Sequence, residues 1–552
     1  MRPVWLALML VCVTTLQAQK NSAPAASDQA RGEQWWAHVR VLADPAMKGR
    51  LTGSAEYLKA AAYVVDEFKQ CGLKPAGANG SWYQPVHFDV QRVIADKSSL
   101  ALVVDGKEAP LAIGEDAILG TRMRQPATIE APLVFIGYGL NLPESGYDDF
   151  DSKELPRAAL KGKIVVMVNG GPADLPGPLK SYARTAPMIR AIRAAGAVGL
   201  ISIPTPKSMD FGWQRIASSA SQPGMRLAAM EGDAAVGERH PALADDHGEL
   251  FSATFNPAKA EKLFEGSGHS FADILALADA QKPLPRFALT RSVRASVVTE
   301  NTRVESPNIA AVLEGADPAL KSEYVIVSAH LDHLGVGAPI HGKTIYAGAM
   351  DDASGVATVL ETARALTHGQ RPKRSVLFLV FTAEEKGLLG SRYFAGHPTV
   401  PAERIIADLN LDMFMPIFAL KKLHVQGLEQ STLGDAARSV GAAHHIEIAG
   451  DPEPDRNSFV RTDQYSFVQA GVPALAMKFG WTAGSPEYKA WRGWLAERYH
   501  STDDDLNQPV DLAAAAQFNA FFADLARAVA NDAAKPHYLQ TSFFRRFELE
   551  EK

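Results

Sequence analysis

Four clusters and one late histidine carry imidazoles and carboxylates: His330-Leu-Asp332-His333, Asp351-Asp352, Glu384-Glu385, Asp412-Met413 and His500. These are the nitrogen and oxygen donors that hold zinc and similar divalent cations. Taken singly each is weak. A histidine after a strand is as often hydrogen-bonded or exposed, an aspartate before a helix is usually its cap, and paired glutamates usually begin a solvated helix. Their joint placement is harder to explain that way. Strongly apolar sequence runs up to most of these sets, so burying the carboxylates and imidazoles unpaired would be costly, and two divalent cations would satisfy them.

The elements that must position these groups are short and apolar on both faces. Tyr324–Ala329, Ser375–Thr382, Ile405–Leu411 and Val472–Met477 read as strands, with helical segments near 354–367 and 386–396 between the first three. That alternation predicts an α/β fold: a mixed, mostly parallel sheet flanked by helices on both faces. Ligands of such sheets bind beyond the carboxyl ends of the strands, where the metal-capable residues fall.

The motifs His330-Leu-Asp332, Asp351-Asp352-Ala-Ser-Gly355, Glu384-Glu385, Asp412-Met413 and His500-Ser-Thr-Asp503 resemble, in order, those of the two-zinc aminopeptidase and glutamate carboxypeptidase family. The resemblance covers about 270–552, with a looser match around Met47–Gly53. It implies two Zn2+ per chain and a zinc exopeptidase fold. Asp351 would bridge the metals, His330 and Asp412 would complete one site, and Glu385 and His500 the other. Glu384 would be the general base acting on a water shared by the metals, and Asp332 would orient His330 through its second ring nitrogen. His333 and His341 read as supporting or surface residues. Where some members carry a tyrosine that steadies the oxyanion, this chain has Phe459; Tyr465 is a candidate donor, with packing beneath the site as the alternative. Met413 and Phe414 are candidates for an apolar substrate pocket, with a place in the core as the alternative.

The resemblance further implies an aminopeptidase acting on peptides, with neutral or apolar first residues preferred. The alternatives are a carboxypeptidase of the same family, with Arg456, Arg461 and Lys478 as possible carboxylate partners, and an inactive receptor-like binding module. The last should have lost ligands, and no ligand position is lost. Residues 128–285 carry a separate strand–helix–strand pattern with glycine punctuation and resemble an inserted β-rich protease-associated domain. They divide the peptidase domain into 19–127 and 286–552.

Residues 1–18 read as a signal peptide, with Arg2 ahead of the apolar run Val4–Val13, so the mature chain is expected to be exported, periplasmic or secreted, without a membrane anchor. Removing the leader leaves Cys71 as the sole cysteine, a packed thiol at a helix end. With 47% hydrophobic and 21% charged residues, and 56 basic against 62 acidic side chains, the chain is globular and lacks the basic excess of a nucleic-acid binder.

Overall fold

The computed structural model describes residues 27–548 apart from 210, 220–221, 230–231, 245–247 and 457; the leader falls outside them. Its larger sheet runs in the order Gly224–Leu227, Tyr83–Val93, Thr299–Leu313, Ser375–Phe381, Tyr324–His330, Ile405–Asn410, Ala474–Phe479, Lys422–Gln426, Glu447–Ala449. The four strands from Ser375–Phe381 to Ala474–Phe479 are mutually parallel, and antiparallel strands flank them. The sheet is therefore mixed, as the sequence predicts, with its parallel strands gathered at the centre.

Every residue of Ser375–Phe381 and of Ile405–Asn410 is buried, because helices cover both faces. One face packs under Asp28–Leu42, Ala55–Gln70, Ser354–His368 and Leu512–Asn531, and the other under Leu389–Gly396 and Gln464–Gln469. Val356, Val359, Leu360, Ala363 and Leu366 recur at helical spacing and are all buried, so Ser354–His368 presents one apolar stripe to the sheet. Each of these valines and leucines contributes roughly 1.5–3 kcal/mol when fully buried. Asp352 lies just ahead of this helix, its Oδ1 accepting from the Gly355 N–H at 3.0 Å.

Register fixes where the chemistry sits. His330 pairs with Phe381, and Ser328 with Asn410, so three parallel strands end level with one another. The residues just beyond them, including Glu384 and Asp412, are delivered to one edge. The helix expected from 386 begins instead at Leu389: Gly387 and Leu388 lie at φ 110 and 60, and this left-handed backbone forms a turn.

A second, eight-stranded sheet takes strands from Ser99–Val104 through Phe287–Ser296. It is wider than the 128–285 read from sequence, because Phe287–Ser296 pairs with both Thr128–Phe135 and Ser99–Val104. Within that span Gly224–Leu227 leaves to join the edge of the larger sheet. Cys71 is partly buried, and its surroundings raise the thiol pKa through desolvation. Among the described residues no helix is long and apolar enough to cross a membrane.

Candidate metal centre

Three of the loops that leave the level strand ends, or lie beside them, hold a non-glycine residue in the left-handed region: Ala383 before Glu384, Met413 after Asp412, and His500 itself. Such a conformation costs about 1–2 kcal/mol per residue and persists where the surroundings impose it. Here it turns the functional side chains toward a common centre.

At that centre His330, Asp351 and Asp412 form one group able to hold a metal, and His333, Asp351 and Glu385 form another. Asp351 belongs to both. Its Oδ1 lies 3.2 Å from His330 Nε2, and its Oδ2 lies 3.3 Å from His500 Nε2 and 3.9 Å from His333 Nδ1. Glu385 faces His500 at 3.2 Å and His333 at 2.7 Å. All five residues expected as ligands thus converge.

The donors fit divalent cations. His330 Nε2, both ring nitrogens of His333 and Glu385 Oε1 are buried without a hydrogen-bond partner, although buried polar atoms are ordinarily satisfied. Burial lowers the His500 pKa, yet the adjacent Glu385 and Asp351 carboxylates outweigh it and bring it up to about 10. His330 is raised in the same way against its own burial, by Glu384, Asp351 and their neighbours. The field at the centre is negative, as a cation site requires.

Four supports set this geometry. Asp504 accepts from the backbone N–H groups of Met350 at 2.9 Å and Asp351 at 3.0 Å, which fixes the shared carboxylate. Asp352 Oδ1 accepts from Met413 N–H at 3.2 Å and ties the Asp412 loop to the Asp351 turn. Gly348 has φ 63, and a Cβ there would come 2.2 Å from the Asp351 carbonyl oxygen and 2.5 Å from the His333 ring, so only glycine fits. Arg50, fully buried, donates to the carbonyls of Leu331 at 2.7 Å, Ala347 at 2.7 Å and Gly348 at 3.0 Å, clamping the two ligand loops together.

The Asp332 carboxylate does not orient His330 as the sequence suggests. The group that meets His330 Nδ1 is its backbone carbonyl, at 3.0 Å, whereas its nearest carboxylate oxygen is 4.0 Å away. The carboxylate instead accepts from the Glu384 N–H at 3.1 Å and from the Thr52 hydroxyl at 3.0 Å, so it positions Glu384. His333, read as a supporting or surface residue, is fully buried and belongs to one of the two metal-capable groups. His341 is exposed and pairs with Asp503 at 2.9 Å.

A cavity of about 910 Å³ opens on the centre and is lined by Asp351, Glu384, Glu385, Asp412 and His500. Met413 and Tyr465 also line it. Phe414 does not: its ring stacks on Phe518 at 4.3 Å and meets Trp35 at 5.7 Å, in the core. Tyr465 stands at a wall where burial raises its pKa and the other groups acting on it are Tyr182, Gln469, Arg546 and Thr185, none of them a ligand. Tyr499, which the sequence reading passed over, lines the cavity beside His500, their rings 4.0 Å apart. Burial holds its phenol well above the ordinary range, with Asp351, Glu385 and Asp412 adding to the shift, so it stays protonated and able to donate. Adjacency to His500 was its one signal in the sequence.

Residues 308–526 match the profile of peptidase family M28. A probable leucine aminopeptidase 2 of Aspergillus fumigatus is 30% identical over 254 residues, covering 42% of this chain and 46% of the relative. A probable zinc metalloprotease of Pyrenophora tritici-repentis is 36% identical over 118 residues, covering 21% and 26%. The chain spans less than half the length of these curated relatives. Among solved structures, an aminopeptidase from Aneurinibacillus sp. strain AM-1 superposes with TM-score 0.52 at 18% identity, covering 91% of this chain and 95% of that one, a likeness of fold. The candidate ligand set at the strand ends lies within the region, 308–526, that is similar to peptidase family M28.

Proposed function

We propose that this chain is an exported two-zinc aminopeptidase that removes N-terminal residues, neutral or apolar ones preferred, from peptides. The observation that carries the reading is Asp351, which belongs to both metal-capable groups and whose two oxygens face different imidazoles, His330 and His500. His330, Asp351 and Asp412 would hold one zinc; Asp351, Glu385 and His500, with His333 beside them, the other. Bound zinc supplies Lewis-acid polarisation of the scissile carbonyl and an acidified water.

The chain's own residues do the rest. Glu384 borders the cavity with its backbone held by Asp332. Burial, then Asp412, Glu385 and Asp463, push its carboxyl well above the usual range, a setting for a group that takes the proton of the attacking water and returns it to the leaving nitrogen. Met413 borders the cavity as an apolar contact for the first side chain. Tyr499 donates to the developing oxyanion. Tyr499→Phe is expected to lower kcat roughly 10²–10³-fold with zinc content unchanged, the loss typical of one oxyanion donor. A Tyr465→Phe variant hit equally hard would move that role to Tyr465.

The region 128–285 borders the same cavity through Arg184, at the end of the helix Gly177–Ala183, and Arg190, on the helix Ala186–Ala194, which supports reading the insertion as a protease-associated lobe that shapes substrate access. One observation favours the carboxypeptidase alternative: Arg456, Arg461 and Lys478 all line the cavity. Dipeptides blocked at one end separate the two. Turnover lost on acetylating the amine supports the aminopeptidase; turnover lost only on amidating the carboxylate supports the carboxypeptidase.

A further inference from the structure

Beyond the metal-capable carboxylates, the wall of the cavity carries one sign of charge. Nine lysine and arginine side chains line it, and among the described lining residues the acidic ones are Asp351, Glu384, Glu385 and Asp412 alone.

Lys386 is the most telling of the nine. It follows Glu385 directly, is only 6% exposed, and forms no hydrogen bond or ion pair with any described residue. The nearby carboxylates are already committed. Asp332 is taken by the Glu384 N–H and Thr52, and Glu385 faces His333 and His500. Arg122 reaches the same turn from the second-sheet region: a Cβ on Gly387 would lie 3.5 Å from its guanidinium. Arg122 also has no ion-pair partner among the described residues, and Lys386 and Arg122 therefore stand together as like charges at one end of the Glu385–Gly387 turn. The Lys386 side chain is buried along its stem while its ammonium opens on the cavity, and with a second cation beside it and no fixed counter-ion it favours an incoming anion.

We propose that Lys386 and Arg122 form a carboxylate-binding subsite beside the metal centre, so that the preferred substrates are short peptides presenting a carboxylate next to the scissile bond. That carboxylate is either the C-terminus of a dipeptide or an acidic side chain on the second residue; the released first residue stays neutral. The inference rests on the peptidase reading and names its substrate class.

The test compares Leu-Gly, Leu-Asp-amide and Leu-Gly-amide in the zinc-loaded protein. The expected kcat/KM for at least one carboxylate-bearing peptide exceeds that of Leu-Gly-amide by about 10–100-fold, the value of one charge-assisted hydrogen bond. Preference for Leu-Gly identifies the terminal carboxylate as the source, and preference for Leu-Asp-amide the side chain. Lys386→Met and Arg122→Met should each reduce that ratio by about tenfold or more, and Lys386→Arg should retain most of it. Three equal substrates, or ratios untouched by either methionine variant, overturn the proposal. A readout without turnover keeps the two claims apart: calorimetric titration with N-acetylglycine, whose Kd should rise about tenfold or more in Lys386→Met. If no peptide is cleaved yet that rise is seen, the subsite stands and the peptidase reading fails. If peptides are cleaved and neither readout responds, the subsite fails alone.

Discussion

Glu384→Ala should retain its zinc and lose turnover. The carboxylate borders the cavity and belongs to neither metal-capable group, whereas its neighbour Glu385 lies 2.7 Å from His333 and 3.2 Å from His500. Adjacent side chains on this turn therefore hold different posts. Loss of a general base costs roughly 10²–10⁴-fold in kcat, with KM little changed because the proton moves only in the transition state. Glu385→Ala should instead lower metal content and activity together. Steady-state kinetics paired with elemental analysis reads both variants. Zinc lost from Glu384→Ala but kept in Glu385→Ala would mean that the two roles are reversed.

Asp351→Ala should have the largest effect. Each metal-capable group contains this residue, so one substitution removes a donor from both and leaves His330 facing Asp412 across a gap. Zinc retention should collapse, and turnover should fall below about 10⁻⁴ of the parent, since zinc supplies several kcal/mol of transition-state stabilisation. His333→Ala is the informative companion: its ring is buried on Glu385 with neither nitrogen hydrogen-bonded, so its loss should weaken zinc binding more than an outlying support would. Zinc held by Asp351→Ala at parental affinity would remove the bridging role.

The candidate ligands were legible because each sits within a few residues of a strand whose unbroken apolar run marks it as central, or in a turn opening a periodic helix. Strand ends in a parallel sheet are brought level by register, so local pattern was enough to gather His330, Glu384 and Asp412. The supports were not legible, because they come from contacts between distant segments. Arg50 reaches the His330 loop from 281 residues away in sequence, and Asp504 reaches Asp351 across 153. Nothing in Met47–Gly53 distinguishes a clamping arginine from a solvated one. Spacing placed Asp332 near His330 and could not say whether its carbonyl or its carboxylate makes the contact. Phe414 and Met413 are adjacent, yet the reversal of backbone at Met413 sends one side chain to the core and leaves the other at the cavity. Tyr465 and Tyr499 were indistinguishable by residue type, and tertiary packing alone separates the wall from the centre.

The central claim is that one carboxylate serves two metals. Its most direct measurement is calorimetric titration of the chelator-treated protein with zinc, followed by hydrolysis of an unblocked dipeptide at each addition. The account predicts two equivalents bound per chain, with hydrolysis returning as zinc is added and no recovery in Asp351→Ala. Full binding of zero or one equivalent, or dipeptide hydrolysis at parental rate in the metal-free protein, would contradict it.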